Sequence, residues 1–253
     1  MIVKKNWHKD FFKNAFYNPA SPAALAKAPE EVRFVIKALK LKKGSKVLDM
    51  CCGPGRHSVL LAKKGLDVTG FDFSKEYLAE AAERAKKNKV QIRLVRGDMR
   101  KLPYSNEFDA VINMFTSFGY FSEKQNIAIL KKVAGALKPH GKFFIDIVHK
   151  ENLDNNLHPK SWNLAEDGSY HLQETEHDKR TGLAKNRWIV VSPGFKVRER
   201  RFTSYSYDRK TMAAILKKAG LKPLKFWGGF DGDRLREDSL RLICLSEKRR
   251  KYV

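Results

Sequence analysis

Val47-Leu48-Asp49-Met50-Cys51-Cys52-Gly53-Pro54-Gly55-Arg56-His57 changes character twice within a few residues. An apolar run ends beside an acid, two glycines bracket a tight turn, and Ser58-Val59-Leu60-Leu61-Ala62-Lys63-Lys64 continues as the first turns of a helix. A strand that feeds a helix through such a turn leaves the first backbone N–H groups of the helix free to meet a nucleotide-like ligand. Gly53 and Gly55 lack a Cβ, so the chain can reverse sharply and a ligand can lie against bare backbone. The same turn also serves plain helix–strand packing, so the sequence on either side has to decide.

Downstream, short apolar strands alternate with amphipathic helices. Lys46 to Met50, Asp67 to Asp72, Val90 to Val95, Phe108 to Asn113 and Lys142 to Val148 read as strands. Helices are expected over Arg56 to Lys64, over Lys75 to Lys87 with Ser74 as cap, and over Glu123 to Leu137. This alternation predicts a parallel sheet covered on both faces. Past His149 the period changes. Residues 150–168 look loop-like, and Tyr170 to His177, Leu183 to Val191 and Val197 to Tyr207 look like three antiparallel strands. A helix over Lys210 to Ala219, closed by Gly220, precedes two last strands at Leu221 to Gly228 and Leu240 to Ser246.

The expected architecture is α/β: a doubly wound, mostly parallel seven-stranded sheet with an antiparallel β insertion acting as a lid. Its divisions are an N-terminal helical cap (1–43), a cofactor-binding core (44–149), the insertion (150–208), and a C-terminal helix with the last two core strands (209–253). Phe11 and Phe12 are expected to cover one face of the sheet.

With 253 residues, 42% of them hydrophobic, the chain can build one large core. It has no apolar run long enough to span a membrane, and its first residues carry no signal-peptide core, so a cytoplasmic protein is expected. Cys51, Cys52 and Cys244 suggest neither a disulfide framework nor a metal site. The 51 Lys+Arg against 28 Asp+Glu give +23, a field that attracts nucleic acid, anionic lipid or an acidic substrate. The lysines are scattered in pairs without interleaved aromatics, which favours a solvated, thermophile-like surface over a nucleic-acid stripe.

Asp72, in Gly70-Phe71-Asp72-Phe73-Ser74, stands where a doubly wound fold places a carboxylate against ribose hydroxyls. Gly97-Asp98-Met99 follows the third strand, Phe108-Asp109 opens the fourth, and Leu137-Lys138-Pro139-His140-Gly141 forms the turn before the fifth. Taken in order, these motifs resemble the class I, Rossmann-like, S-adenosylmethionine-dependent methyltransferases over roughly one hundred residues. Cys51 replaces the first glycine of that family's D-x-G-x-G-x-G motif, and His140 replaces a glycine of its L-K-P-G-G turn. The strings Cys51 to His57 and Phe115-Thr116-Ser117-Phe118-Gly119-Tyr120-Phe121 further resemble a small-molecule group with a β-sheet lid.

The resemblance implies S-adenosyl-L-methionine as cofactor. Asp49 suits its amino group, Cys51, Gly53 and Gly55 form the turn beneath it, Asp72 takes the ribose, and Phe73 beside it is a further cofactor-binding residue. Asp98 and Met99 hold the adenine, and Asn113, Met114 and Phe115 lie near the methionine part. Likeness to glycine N-methyltransferase-like proteins adds Tyr17 and Arg33 as donors to the carboxylate.

Methyl transfer is an in-line displacement, so positioning supplies much of the acceleration. A base is needed only when the accepting atom arrives protonated. His149, just past strand five, is the candidate base, with Asp231 and Asp233 as competitors. Tyr120 is the second candidate catalytic residue and, with Phe118, a candidate pocket wall. His171, Arg187 and Tyr205 are lid residues that could meet substrate. The leading expectation is methylation of a small molecule at nitrogen or oxygen. An RNA methyltransferase remains open on charge alone, although Asn113-Met114-Phe115-Thr116 departs from the Asn/Asp-Pro-Pro-Tyr/Phe motif of base-amine enzymes. A non-catalytic S-adenosylmethionine-binding protein is the third reading, and a dehydrogenase fits the glycine spacing poorly.

Overall fold

Strand β1 (Lys46–Met50) buries every residue after Lys46 and pairs in parallel with β2 (Asp67–Asp72) on one side and β4 (Phe108–Asn113) on the other. The structure, a computed structural model, describes Val3, Trp7, Phe11, Phe12, Phe16 and residues 18–249. Tyr17 therefore lies outside the described residues. Strands β3 (Arg93–Arg96), β5 (Leu137–Val148), β10 (Leu221–Trp227) and β11 (Arg241–Lys248) complete a sheet of order β10-β11-β5-β4-β1-β2-β3. Only β11 runs antiparallel to its neighbours, which makes this the expected doubly wound sheet. The chain leaves β1 and β4 toward opposite sides, and a crevice opens at their carboxyl ends, as the topology of such sheets requires.

Side-chain alternation splits the core into two layers. Phe143, Ile145 and Ile147 of β5 pack with α4 (Glu123–Ala136) and α6 (Arg209–Lys218), while Phe144 faces α1 (Pro22–Leu39) and α2 (Arg56–Lys63). Helix α3 (Lys75–Lys87) is capped by Ser74, whose hydroxyl accepts from Tyr77 N. Helix α1 is thus the N-terminal element that covers the sheet, through Val32, Val35 and Leu39. Phe11 does something else: it packs on the lid, with ring centroids 4.7 Å from Phe202 and 5.5 Å from Trp188.

The lid follows α5 (Lys150–Asn156) and is a separate antiparallel sheet of β6 (Lys160–Leu164), β7 (Tyr170–Asp178), β8 (Leu183–Val191) and β9 (Val197–Tyr205). Four strands replace the expected three. Strand β6 is an edge strand with all five residues exposed, so it carries no in–out alternation to read. No helix among the described residues is long and apolar enough to cross a membrane.

The loop after β4 is tied to the end of the lid by a backbone hydrogen bond, Tyr205 N donating to Gly119 O at 2.7 Å. Gly119 has φ +99°, and a Cβ there would stand 2.4 Å from the Tyr205 carbonyl oxygen. Gly119→Ala is expected to lower stability by about 3 kcal/mol in denaturant unfolding, from backbone strain and the clash together. An unchanged midpoint would show that the lid is not fastened at this point.

Candidate active site

A cavity of about 460 Å³ lies between the carboxyl edge of the sheet and the inner face of the lid. The glycine turn forms one wall. Cys51, Gly53 and Gly55 have φ of +64°, +53° and +74°, so the turn needs three residues in the left-handed region. That explains why the related motif prefers glycine at the position of Cys51; a non-glycine residue there costs about 1 kcal/mol or more. Cys51, Gly53, Asp49 and Asp72 line the cavity, whereas Gly55 does not. A Cβ on Gly55 would stand 2.9 Å from Ala81 Cβ, so this glycine lets α2 and α3 approach instead.

Asp72 braces the turn. Gly53 N donates to its Oδ2 at 2.9 Å and Ser74 N to its Oδ1 at 2.8 Å. Burial pushes the Asp72 carboxyl above its usual range, against the pull of those N–H groups. Asp49 is almost fully buried and accepts from Ser58 Oγ at 2.6 Å; burial raises its pKa as well. The Cys51 and Cys52 thiols are pushed well up by burial and by these carboxylates, so both stay protonated. Phe73, Asp98 and Met99 extend the same wall. Asp98 caps the short turn Met99–Lys101 and grips the Arg100 guanidinium, which lies 4.5 Å from the Phe121 ring centroid.

Beyond β4, Met114 and Phe115 line the cavity as expected, and Tyr120 does too, its hydroxyl donating to Thr116 O at 2.9 Å. Phe115 and Thr116 both have φ of +59°. Asp146 holds them there, its Oδ2 accepting from Phe115 N at 2.8 Å and its carbonyl from Thr116 N at 2.9 Å. Arg241 of β11 in turn donates from Nε to Asp146 Oδ1 at 2.7 Å.

Several expected residues stand elsewhere. Asn113 is fully buried and outside the cavity lining; its Nδ2 donates to Met50 O at 3.0 Å and pins the strand ends together. Phe118 is buried against Tyr207, ring centroids 5.8 Å apart, not in the wall. Arg33 lies on the exposed face of α1 and does not reach the cavity. Arg56 comes to the wall in its place. Its Nη1 donates to Ala24 O at 2.8 Å and Glu31 Oε2 at 3.1 Å, and its Nη2 is buried without a partner. The guanidinium carbon lies 4.4 Å from the Phe115 ring centroid. His57 Nε2 is 2.6 Å from the same Glu31 oxygen. Burial would raise the Glu31 pKa, but His57 and Arg56 outweigh it and hold the carboxyl below its usual range.

His149 does not face the cleft. It is fully buried as the N-terminal cap residue of α5, its Nε2 lies 3.2 Å from Glu151 Oε2, and its backbone bridges Tyr207. Burial lowers its pKa, so it stays neutral behind the wall formed by Ile147 and Val148. Asp231 and Asp233 line a separate small pocket in the loop between β10 and β11.

Strands β7, β8 and β9 of the lid line the cavity, and β6 does not. Gln173, Thr175, Ala184, Asn186, Trp188, Phe202 and Ser204 face the cavity, with Tyr205 at the end of β9 and Ser206 just beyond it. Thr175 Oγ1 donates to Asn186 Oδ1 at 3.0 Å, and Asn186 Nδ2 to Ser204 Oγ at 3.3 Å. His171 is not in the lining, and Arg187 is on the other face, paired with Glu174 at 3.1 Å and Glu199 at 2.8 Å. Arg187, helped by Arg201, holds Glu199 down to about 2. No group of metal-ligating side chains occurs among the described residues.

Residues 47–141 match the model of a family described as a methyltransferase domain. The demethylmenaquinone methyltransferase of Staphylococcus carnosus is 39% identical over 111 residues, 42% of this chain and 44% of that protein. The glycine/sarcosine N-methyltransferase of Halorhodospira halochloris is 36% identical over 124 residues, 48% and 46% of the two chains. The chain thus spans about half the length of the curated relatives it matches. An S-adenosylmethionine-dependent methyltransferase from Clostridium acetobutylicum superposes with a TM-score of 0.80 at 19% identity, over 97% of this chain and 100% of that one. The CcbJ methyltransferase from Streptomyces caelestis gives 0.79 at 20% identity, over 95% and 96%. At these identities the superpositions show a shared fold, lid included.

Proposed function

We propose, on the premise that residues 47–141 form a methyltransferase domain, that the protein transfers the methyl group of S-adenosylmethionine to nitrogen or oxygen of an uncharged small molecule. One observation carries the reading: carboxylates from three successive strand ends, Asp49, Asp72 and Asp98, share a cavity wall with Arg56, whose Nη2 is buried without a hydrogen-bond partner. A ligand with a ribose diol, an amino group and a carboxylate matches that donor and acceptor set. Asp72 would accept from the diol and Asp49 from the amino group, and Arg56 would donate to the carboxylate. Asp98, Met99 and Phe73 would hold the adenine. When bound, the cofactor supplies a methyl group on positively charged sulfur.

The chain's own part is to position the acceptor and exclude water. Phe11, Phe12, Tyr120, Trp188 and Phe202 supply an aromatic enclosure, and Gln173, Thr175, Asn186 and Ser204 supply hydrogen bonds. Among the described lid residues lining the cavity none is charged, which favours an uncharged acceptor over an amino acid or a polyanion. The three cysteines are free thiols, which suits a reducing compartment such as the cytoplasm.

Isothermal titration with S-adenosylmethionine, S-adenosylhomocysteine and NAD tests the cofactor: the first two should bind and NAD should not. A radiolabelled methyl-transfer screen over neutral ring compounds, amino acids and bulk RNA tests the acceptor. Binding of NAD alone would overturn the first assignment, and labelling of RNA the second.

A further inference from the structure

One buried histidine stands directly behind the cavity wall. His177, near the end of β7, has a side chain 3% exposed, with Nδ1 3.3 Å from Asp154 Oδ1 on α5, an ion-pair contact without hydrogen-bond geometry. Its Nε2 is 3.2 Å from Ser206 Oγ, and Ser206 lines the cavity. Asp154 is paired in turn with Lys150, one helical turn earlier. Three separate elements thus bring a hydroxyl at the wall, an imidazole and a carboxylate side by side.

We propose that Ser206 and His177 take the proton from the methyl acceptor, with Asp154 as the positioning residue; this rests on the methyl-transfer reading above. The negative charge of Asp154 beside Nδ1 favours the tautomer with hydrogen on that nitrogen, which leaves the Nε2 lone pair toward Ser206. The Ser206 hydroxyl has two acceptors at 3.2 Å, Gly182 O and His177 Nε2, and can turn between them. As the acceptor's nitrogen or oxygen bonds to the methyl carbon, the carbon–sulfur bond breaks with its electron pair left on sulfur. The acceptor's hydrogen passes to Ser206 Oγ while the hydrogen of Ser206 passes to Nε2. The electron pair of the broken N–H or O–H bond stays on the acceptor atom. His177 ends as an imidazolium beside Asp154 and later releases its proton to water.

The charged groups facing His177 are Asp154 and Lys150 from α5 and Asp178 and Lys179 from its own strand and turn. Burial lowers its pKa below the ordinary 6.5, and Asp154 opposes that only in part. The neutral form, which can accept a proton, therefore predominates at neutral pH. Turnover should fall as pH drops through a midpoint under 6.5.

The test uses the full chain saturated with S-adenosylhomocysteine and labelled with nitrogen-15 at histidine. The His177 signals are those missing from His177→Gln. The expected result is a neutral ring protonated at Nδ1 that titrates below 6.5, with a still lower midpoint in Asp154→Asn. A ring protonated at Nε2 would overturn the proposal. With whichever acceptor in the screen the native protein methylates, His177→Gln and Ser206→Ala should each lower kcat by ~10²-fold with KM little changed. The acidic limb should vanish in His177→Gln, and native kcat in either variant would also overturn it. Calorimetry with S-adenosylhomocysteine separates the two claims. No binding by the native chain sinks the methyl-transfer reading, whereas normal binding with the wrong tautomer sinks the relay alone.

Discussion

Asp72→Asn is expected to weaken S-adenosylhomocysteine binding by roughly 10- to 100-fold, the size of one hydrogen bond to a charged group. Two losses combine. The carboxylate now accepts from Gly53 N through one oxygen and from Ser74 N through the other. An asparagine has a single acceptor oxygen, so its amide NH2 must face one of those N–H groups, and the glycine turn loosens. The acceptor offered to a ribose diol also changes charge. Ser74 still caps α3 through its own hydroxyl, so the thermal midpoint should move little. Calorimetry on the folded variant decides: unchanged affinity would reduce Asp72 to a brace for the turn.

Arg56→Met should act on both stability and ligand choice. Glu31 is shared by Arg56 and His57 in a buried cluster, and removing one partner of a buried ion pair typically costs about 3–5 kcal/mol. Arg56 lines the cavity and its buried Nη2 has no protein partner, and the proposed function makes it the donor to the ligand carboxylate. Affinity for S-adenosylhomocysteine should therefore drop at least about tenfold, while affinity for adenosine, which has no carboxylate, should stay near native. Urea unfolding reads the first effect and paired titrations the second. An equal loss for both ligands would mean that Arg56 shapes the cavity without touching the methionine portion.

The parts of this structure that the sequence made legible are local. Val47 to His57 carries its own strand, turn and helix start, and the strand ends at Asp72 and Asp98 are set by alternation within a few residues. Parallel pairing of β1 with β2 and β4 follows from burial on both faces. What could not be read depends on contacts between distant segments. Arg33 and Arg56 are both basic residues near the turn, but only the packing of α1 on α2 decides which guanidinium is buried. The motif itself held the clue, since Arg56 opens α2 at the turn. In the lid, the charged row Lys185, Arg187 with Glu174 and Glu199 marks the outer face, and a search for uncharged alternate positions would have found Thr175, Asn186 and Ser204. His149 and His177 are alike in sequence as isolated histidines. One caps α5 beneath Tyr207 and the other backs onto Ser206, a difference made by where α5 folds against the lid.

The hold of Arg241 on Asp146 also says something about order of assembly. Phe115 and Thr116 adopt their left-handed shape under the grip of Asp146, and the guanidinium steadying that carboxylate arrives 95 residues later along the chain. A nascent polypeptide could complete the glycine turn long before this far corner of the chamber took form. Competence to hold a ligand would then be acquired only when β11, the one antiparallel strand of the seven-stranded sheet, docks, making ligand capture a report on the last act of folding rather than the first.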